Sequence, residues 1–376
     1  MSSMVEKIRM ISGKYSLSRA RSLLQKNEKY ISPATLILGF IIDSLTLVRV
    51  DLWLDNVILL GYLALAGIAM VFINLETADR IQNILTRKLI LWLPLVLQFA
   101  FGGLFSGFVV LYSRNASLSA SWPFILMLAF LLVGNEFFKD RYQRLAFQVS
   151  VYFIAYLSYL TFAIPVLLNR IGPEIFLLST LLALIIILLI ILLFRKITPE
   201  IFQTNKRSVV WLVLSILVIF NFLYFADIIP PLPLALKEII IAHDIRPSAS
   251  GYHVSYEPAK WYNFFHDENN PIYNQIAEET IFAFSLVYAP ANLKTTIVHE
   301  WAKYDEVNHR WVVISNLPFS VSGGREQGFR GYSYKTNVSA GKWRVTTKTT
   351  NGQTLGQTKF EIRLTNIRPE LVTQIK

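Results

Sequence analysis

Apolar residues run in long blocks through the first two thirds of the chain and in short alternation through the last third. Seven blocks reach or approach the length of a membrane-spanning helix: 33–50, 57–75, 89–112, 121–138, 145–168, 175–194 and 208–229. A bilayer core about 30 Å thick takes roughly 20 apolar residues at a helical rise of about 1.5 Å each. The block 175–194 carries no charge. The block 33–50 contains Asp43 and Arg49 and runs up to Asp51, and 121–138 contains Asn135 and Glu136. After Ile229 the pattern changes. Pro230-Pro231-Leu232-Pro233 predicts a stiff extended linker. Beyond it, alternation predicts strands at 251–257, 280–288, 294–301, 310–314, 320–322, 331–336, 342–349 and 354–364. Turn residues separate them, and Asn351-Gly352 between two alternating runs is a hairpin signal.

The expected fold is therefore a bundle of seven transmembrane helices followed by an all-β, immunoglobulin-like antiparallel sandwich. The expected parts are a basic N-terminal segment at 1–31, a transmembrane domain at 32–230 and a β-sandwich domain at 231–376. A sandwich of that size can bury its own core, which matters because the chain has no cysteine to staple it. The missing cysteines also exclude thiolate metal sites and cysteine nucleophiles.

Charge sets the expected orientation. The net charge is +11, with 53% hydrophobic and 16% charged residues over 376 positions. A soluble domain carries about 25% charged residues, so a single soluble core fits poorly and the composition is that of a membrane protein. Of the basic residues in 1–230, seventeen flank the block ends on the side of the N-terminus. Arg49, Arg114 and Arg170 fall on the other side. The positive-inside rule places the N-terminus in the cytoplasm and 231–376 outside it. Trp53 and Trp122 at outer block ends, and Trp92 and Trp211 at inner ones, fit an aromatic belt. Basic residues that border spans also argue against a nucleic-acid partner. Residues 15–30 read either as an amphipathic helix on the inner leaflet or as a loose basic tail.

The stretch 282–360 resembles a bacterial family called Domain of Unknown Function 2914. The residues that carry the likeness are Ile297, His299, Trp301, Tyr304 and Trp311, the run Gly323-Gly324-Arg325, the run from Gly328 to Lys335, Gly341-Lys342-Trp343-Arg344-Val345, and Gly352-Gln353-Thr354-Leu355-Gly356 through Phe360. The resemblance implies a bacterial envelope protein with an extracytoplasmic β module, and the expected location is the bacterial cytoplasmic membrane. It supplies no catalytic residue.

Two groups of residues could carry chemistry. Arg325, Arg330, Tyr332 and Tyr334 could form a patch for an envelope glycan, a lipid head group or a protein partner, because guanidinium forks suit anions. The competing reading is an Arg–carboxylate staple to Glu326 or Glu300 on a β-sandwich whose core takes Trp343. Asp43, Arg49 and Asp51 could form an intramembrane polar site, since a carboxylate in a span is costly unless paired. Arg49, Gln98 and Gln148 are candidate partners for Asp43; the competing reading is a packing role. Gly103 and Gly107 should permit close helix approach. His299-Glu300 lacks the second histidine of a zinc helix, and position 303 is Lys. The remaining histidines are scattered, so no metal and no cofactor is expected. The favoured function is an envelope membrane protein whose β-sandwich binds a glycan, lipid or protein. The alternative is a transporter or intramembrane enzyme working near Asp43, Arg49 and Asp51. The sequence leaves the oligomeric state open.

Overall fold

A computed structural model of the chain describes residues 37–47, 52–81, 92–115, 118–137, 141–142, 144–230, 233–249, 251–258, 271–276, 279–289, 293–322 and 328–376. Among them, seven α-helices precede eleven strands. The helices are α1 (Ile37–Thr46), α2 (Trp53–Thr77), α3 (Leu93–Asn115), α4 (Leu118–Phe137), α5 (Leu145–Leu168), α6 (Pro173–Ile197) and α7 (Pro199–Phe225). They answer the seven apolar blocks one for one. Five of them, α2, α3, α5, α6 and α7, are long and apolar enough to cross a membrane. The helix α7 starts at Pro199 rather than Ser208, because proline at the first helical turn needs no N–H partner and presets φ. The proposed 15–30 helix, Arg49 and Asp51 lie outside the described residues.

The bundle is organised around α5, most of whose residues are buried and which packs on α2, α3, α6 and α7. The outer faces of α6 and α7 expose Leu181, Leu189, Val218 and Phe222, as a lipid-facing surface would. Trp53, Trp92, Trp122 and Trp211 all project from the bundle surface. The helices α2 and α3 approach closely, because glycine gives α3 room. A Cβ on Gly103 would come within 2.6 Å of the Tyr62 ring, and one on Gly107 within 3.0 Å of Leu47 and Leu59. The expected close contact is thus made within this chain, against α2.

At the end of the bundle that holds the basic loops, buried amides form a chain across four helices. Asn74 of α2 donates to Gln148 Oε1 of α5 (2.6 Å). Gln148 Nε2 donates to the Tyr142 carbonyl, the Tyr142 hydroxyl donates to Asn135 Oδ1 of α4, and Asn135 Nδ2 donates to the Gln98 carbonyl of α3 (2.9 Å). Farther along, the Tyr152 hydroxyl donates to the Leu63 carbonyl (2.8 Å) and that of Tyr112 to the Ser158 carbonyl (2.9 Å). With no water in hydrocarbon to take their place, each bond fixes one helix register against its neighbour.

The strands are β1 (Ala235–Ala242), β2 (Asp244–Ser248), β3 (Gly251–Tyr256), β4 (Ile272–Gln275), β5 (Ile281–Tyr288), β6 (Lys294–Asp305), β7 (Arg310–Ser322), β8 (Phe329–Lys335), β9 (Gly341–Thr349), β10 (Thr354–Leu364) and β11 (Val372–Ile375). They make three sheets, ordered β1-β5-β8, β4-β10-β9-β6-β7 and β11-β3-β2. The first two enclose a core of Ile281 and Ala283 with Trp301, Trp343, Val345, Phe360 and Ile362. The third covers the back of the first, where Ile245 and Val254 meet Phe284. All eight expected strands are present, with 310–314 and 320–322 joined into β7. Pro318 is tolerated there because β7 is an edge strand. Four strands were not expected. The strand β1 begins just after the expected linker, with a bulge between Leu236 and Glu238 hiding its alternation. The strand β2 contains Pro247, β4 has four residues, and β11 is fully exposed. The expectation of a wholly antiparallel sandwich fails at β4, which runs parallel to β10. The hairpin at Asn351-Gly352 forms as expected, with Gly352 at φ +89.

The β domain sits on the end of the bundle opposite the basic loops. Its β1 and β10 meet the end of α3 and the start of α4. Ile171, between α5 and α6, packs with Leu234, Val287 and Leu355. Gln353 at the β9–β10 turn closes a small cleft of about 20 Å³ with Thr161, Phe176 and Tyr224.

Gly103→Ala should lower the melting temperature of the detergent-solubilised protein, since overpacking costs roughly 1–3 kcal/mol. Gly61→Ala, whose Cβ would meet nothing within 4 Å, should not. Equal melting of the two variants would refute the tight α2–α3 contact.

Candidate functional site

Alternation along β9 sends Trp343, Val345 and Thr347 inward and Lys342, Arg344 and Lys348 outward. Alternation on β6 likewise sends His299 and Trp301 inward and Glu300, Ala302 and Tyr304 outward. Because β6 lies between β7 and β9, the outward residues meet on one open sheet face. Trp311 of β7 stands opposite Tyr304, their rings 5.2 Å apart at 62°. The Arg344 guanidinium lies 4.9 Å from the Trp311 ring centroid, and the Lys342 ammonium 5.5 Å from that of Tyr304. Arg344 and Val313 flank Ala302 in register, and this floor residue is fully buried. Glu300 binds Lys348 at 2.6 Å and stands 3.9 Å from Arg344. Lys342 reaches Glu306 at 3.2 Å. Chemically this is a half-buried aromatic pair ringed by cations, a surface that suits a flat ligand bearing negative charge.

The expected patch on β8 is only partly available. Arg330, Tyr332 and Tyr334 share one face of β8, as their spacing of two requires. That face is covered by the third sheet: Tyr332 packs 5.6 Å from the Tyr252 ring, and Arg330 lies against Gly251. Tyr334 is 60% exposed. Arg325 and Glu326 lie outside the described residues. The expected Arg–carboxylate staple is not made by Glu300, which serves Lys348 and Arg344 instead. Trp343 is in the core, as expected. Gly331 sits within β8, where a Cβ would strike the Phe319 ring.

Of the intramembrane trio, Asp43 alone is described. It is 9% exposed and lies across from Ser106 of α3. Gln98 and Gln148, considered as its partners, belong to the amide chain at the other end. A second buried carboxylate, Asp55, sits in the first turn of α2, where the helix N-terminus favours negative charge.

Two histidines have partners that no spacing announces. His299 is fully buried between the β1-β5-β8 sheet and the five-stranded sheet. Its Nδ1 lies 2.8 Å from Ser333 Oγ and its Nε2 2.7 Å from Ser285 Oγ. Trp301 Nε1 donates to Ser333, and Ser285 meets Thr347. One direction satisfies every group: Trp301 donates to Ser333, Ser333 to His299, His299 to Ser285 and Ser285 to Thr347. Burial pushes the His299 pKa down to about 3, so the ring is a neutral pin between sheets. His243 is the opposite case. Its Nδ1 lies 2.9 Å from Glu279 and its Nε2 3.0 Å from Glu257, and it stacks on Tyr273. Glu257 also accepts from the backbone and side chain of Asn274. Burial disfavours charge on His243, but the two carboxylates outweigh it and raise its pKa. This imidazolium clasp joins the β1–β2 bend, the end of β3 and β4, at the end of the domain away from the bundle. The aromatic segment 261–266 between these anchors lies outside the described residues. Among the described residues no three His, Asp or Glu side chains converge as metal ligands would.

Residues 294–362 match the family described as Protein of unknown function (DUF2914). The match begins with β6 and ends in β10, so it contains the whole Trp311–Tyr304–Arg344 face. No curated protein matches the chain. Similar solved structures include a mutant β-glucosidase from Listeria innocua in complex with laminaribiose, at 10% identity and TM-score 0.18, covering 24% of this chain and 14% of that one. The β-glucosidase of Bifidobacterium adolescentis gives 9% identity and TM-score 0.18 over 34% and 17%. The alkylpurine DNA glycosylase AlkC of Pseudomonas fluorescens, bound to DNA, gives 12% identity and TM-score 0.22 over 82% and 99%. This chain thus spans 14% of the first structure's length, and likenesses this weak carry no argument about fold or activity.

The two histidines give stability opposite pH slopes. Folding raises the His243 pKa, so its contribution is complete below about 6.5, the unfolded value, and is lost as pH rises through the folded value. Folding depresses that of His299, so its contribution is complete above about 6.5 and is lost as pH falls toward 3. Melting of the full-length protein in detergent should therefore fall on the alkaline side, and His243→Gln should remove that fall while keeping the acid one. An alkaline fall that survives in His243→Gln would sink the assignment.

Proposed function

We propose that this chain is a multi-pass protein of the bacterial cytoplasmic membrane whose immunoglobulin-like β-sandwich stands outside the cytoplasm and binds an envelope glycan, a lipid or a protein partner. The observation that carries the reading is the seating of the β domain on the bundle end opposite the basic loops. The helices α2 to α7, taken as six crossings, leave residues 52 and 230 on one side. A seventh crossing by 33–50 then sends the basic N-terminal segment to the other. Arg80 and Glu200, 3.3 Å apart, close the basic end. Asp227 stands at the opposite end, where burial raises its pKa and Lys348 of the β domain opposes the shift. The β domain thus rests on the bundle through several contacts, rather than hanging from a tether, and turns a charged aromatic face away from it.

The absence of cysteine makes a clean test possible. In intact spheroplasts a membrane-impermeant maleimide should label Thr373→Cys at once. Ser18→Cys should react only after permeabilisation. External labelling of both would remove the seventh crossing, and labelling of Ser18→Cys alone would invert the protein and end the reading.

A further inference from the structure

We infer that the open face of β7, β6 and β9 is a binding site for an anionic glycan, a sugar chain bearing carboxylate or phosphate groups, held by Arg344 over Trp311 and Tyr304. The inference rests on the proposed extracytoplasmic, ligand-binding β domain and names the ligand class of its open face.

The first support is the state of Arg344. Its side chain is 22% exposed, its Nε is buried without a hydrogen-bond partner among the described residues, and its only carboxylate neighbour there stands 3.9 Å away. The guanidinium lies 4.9 Å from the Trp311 ring centroid, and its fork of donors makes no hydrogen bond among the described residues. A planar fork held in that way matches a carboxylate or phosphate in two-point contact, which a lysine cannot reproduce.

The second support is what lies beside it. Glu300 would repel an incoming anion, but Lys348 already neutralises it at 2.6 Å. Lys342 lies two residues from Arg344 on the same face, roughly 7 Å along the strand. It offers a second cation whose only ion-pair partner among the described residues is the exposed Glu306. Between the cations, Trp311 and Tyr304 present ring surface to the apolar C–H faces of sugar rings. Alternating charge and ring surface suits a chain of charged sugars better than a single ion.

Position distinguishes the source of the anion. The strand β9 runs from Gly341 to the Thr349 turn, and that turn rests against the bundle. Lys348 is therefore the β9 cation nearest the bundle, with exposed Lys294 of β6 farther in that direction, and the Lys342–Tyr304–Trp311 cluster lies toward the other end of the sheet. A lipid head group at the bilayer surface would meet Lys294 and Lys348 first. A polymer extending through the envelope would meet the aromatic cluster.

The test uses the full-length protein in detergent. Its probes are a short oligogalacturonate, the methyl ester of the same oligosaccharide, a mannose-6-phosphate oligosaccharide and poly-L-glutamate. Binding is followed by calorimetry and by tryptophan fluorescence. The expected result is binding of one or both anionic sugars, with the ester at least about tenfold weaker because it lacks the charge that the fork takes. The variant Arg344→Met should lose about tenfold, and Arg344→Lys should not restore it. Lys342→Gln, a change at an exposed residue that leaves the fold intact, should weaken binding severalfold even if Arg344→Met proves unstable. Binding of poly-L-glutamate as tight as the sugars, surviving Arg344→Met, would reduce the effect to net charge and overturn the site. Absence of binding by either anionic sugar would overturn it too, while external labelling of Thr373→Cys would leave the broader reading standing. Tighter binding of anionic vesicles, lost in Lys348→Gln but kept in Arg344→Met, would hand the face to lipid.

Discussion

Chains of buried hydrogen bonds tie the polar groups of this protein to one another, and the two halves use them in the same way. In the bundle the groups are the side-chain amides of Asn74, Gln148 and Asn135 and the backbone carbonyl of Gln98, bridged by Tyr142. In the β domain they are the imidazole of His299, the indole of Trp301 and three hydroxyls. An apolar surface can slide past another at little cost, whereas a buried donor without its acceptor loses roughly 1–3 kcal/mol. Each chain of bonds therefore selects one register from the many that greasy helices or a greasy sandwich would allow. The bundle chain crosses four helices, and the His299 chain crosses between two sheets.

The same requirement shapes the junction. The β9–β10 turn, set by Asn351-Gly352, lays Gln353 beside Thr161, Phe176 and Tyr224. Leu355 and Leu234 then close over Ile171, and Lys348 faces Asp227. These contacts join apolar, neutral-polar and charged groups from three helix ends. The strand β9 runs through both regions: one end rests on the bundle, and the other carries Lys342 and Arg344 on the open face. The aromatic-cationic face is thus held by an element whose position the bundle sets.

Much of this was legible beforehand. The helix blocks, the strand β9 with Trp343 inward, the glycine contact at Gly103 and the Asn351-Gly352 turn all follow from local rules. They depend on side-chain periodicity and on backbone sterics, and both act over a few residues. The strands that escaped notice are those in which such signals are weak or broken: β1 by a bulge, β2 by Pro247, β4 by its length and β11 by its exposure. Arg330, Tyr332 and Tyr334 were grouped by nearness in sequence, and they share one face of β8. Its cover was invisible, because the sheet that covers it is built from 244–256 and 372–375, distant in sequence.

What the sequence alone determined is the division of the chain, where apolar blocks give way to alternation, and the inward or outward sense of each strand residue. The tertiary structure alone decided the partners. His243 lies fourteen residues from Glu257 and thirty-six from Glu279, and Arg344 reaches Trp311 only because β6 lies between their strands. Periodicity says which way a side chain points, but strand order says what it meets, and strand order is settled by burial and polar pairing summed over the whole molecule.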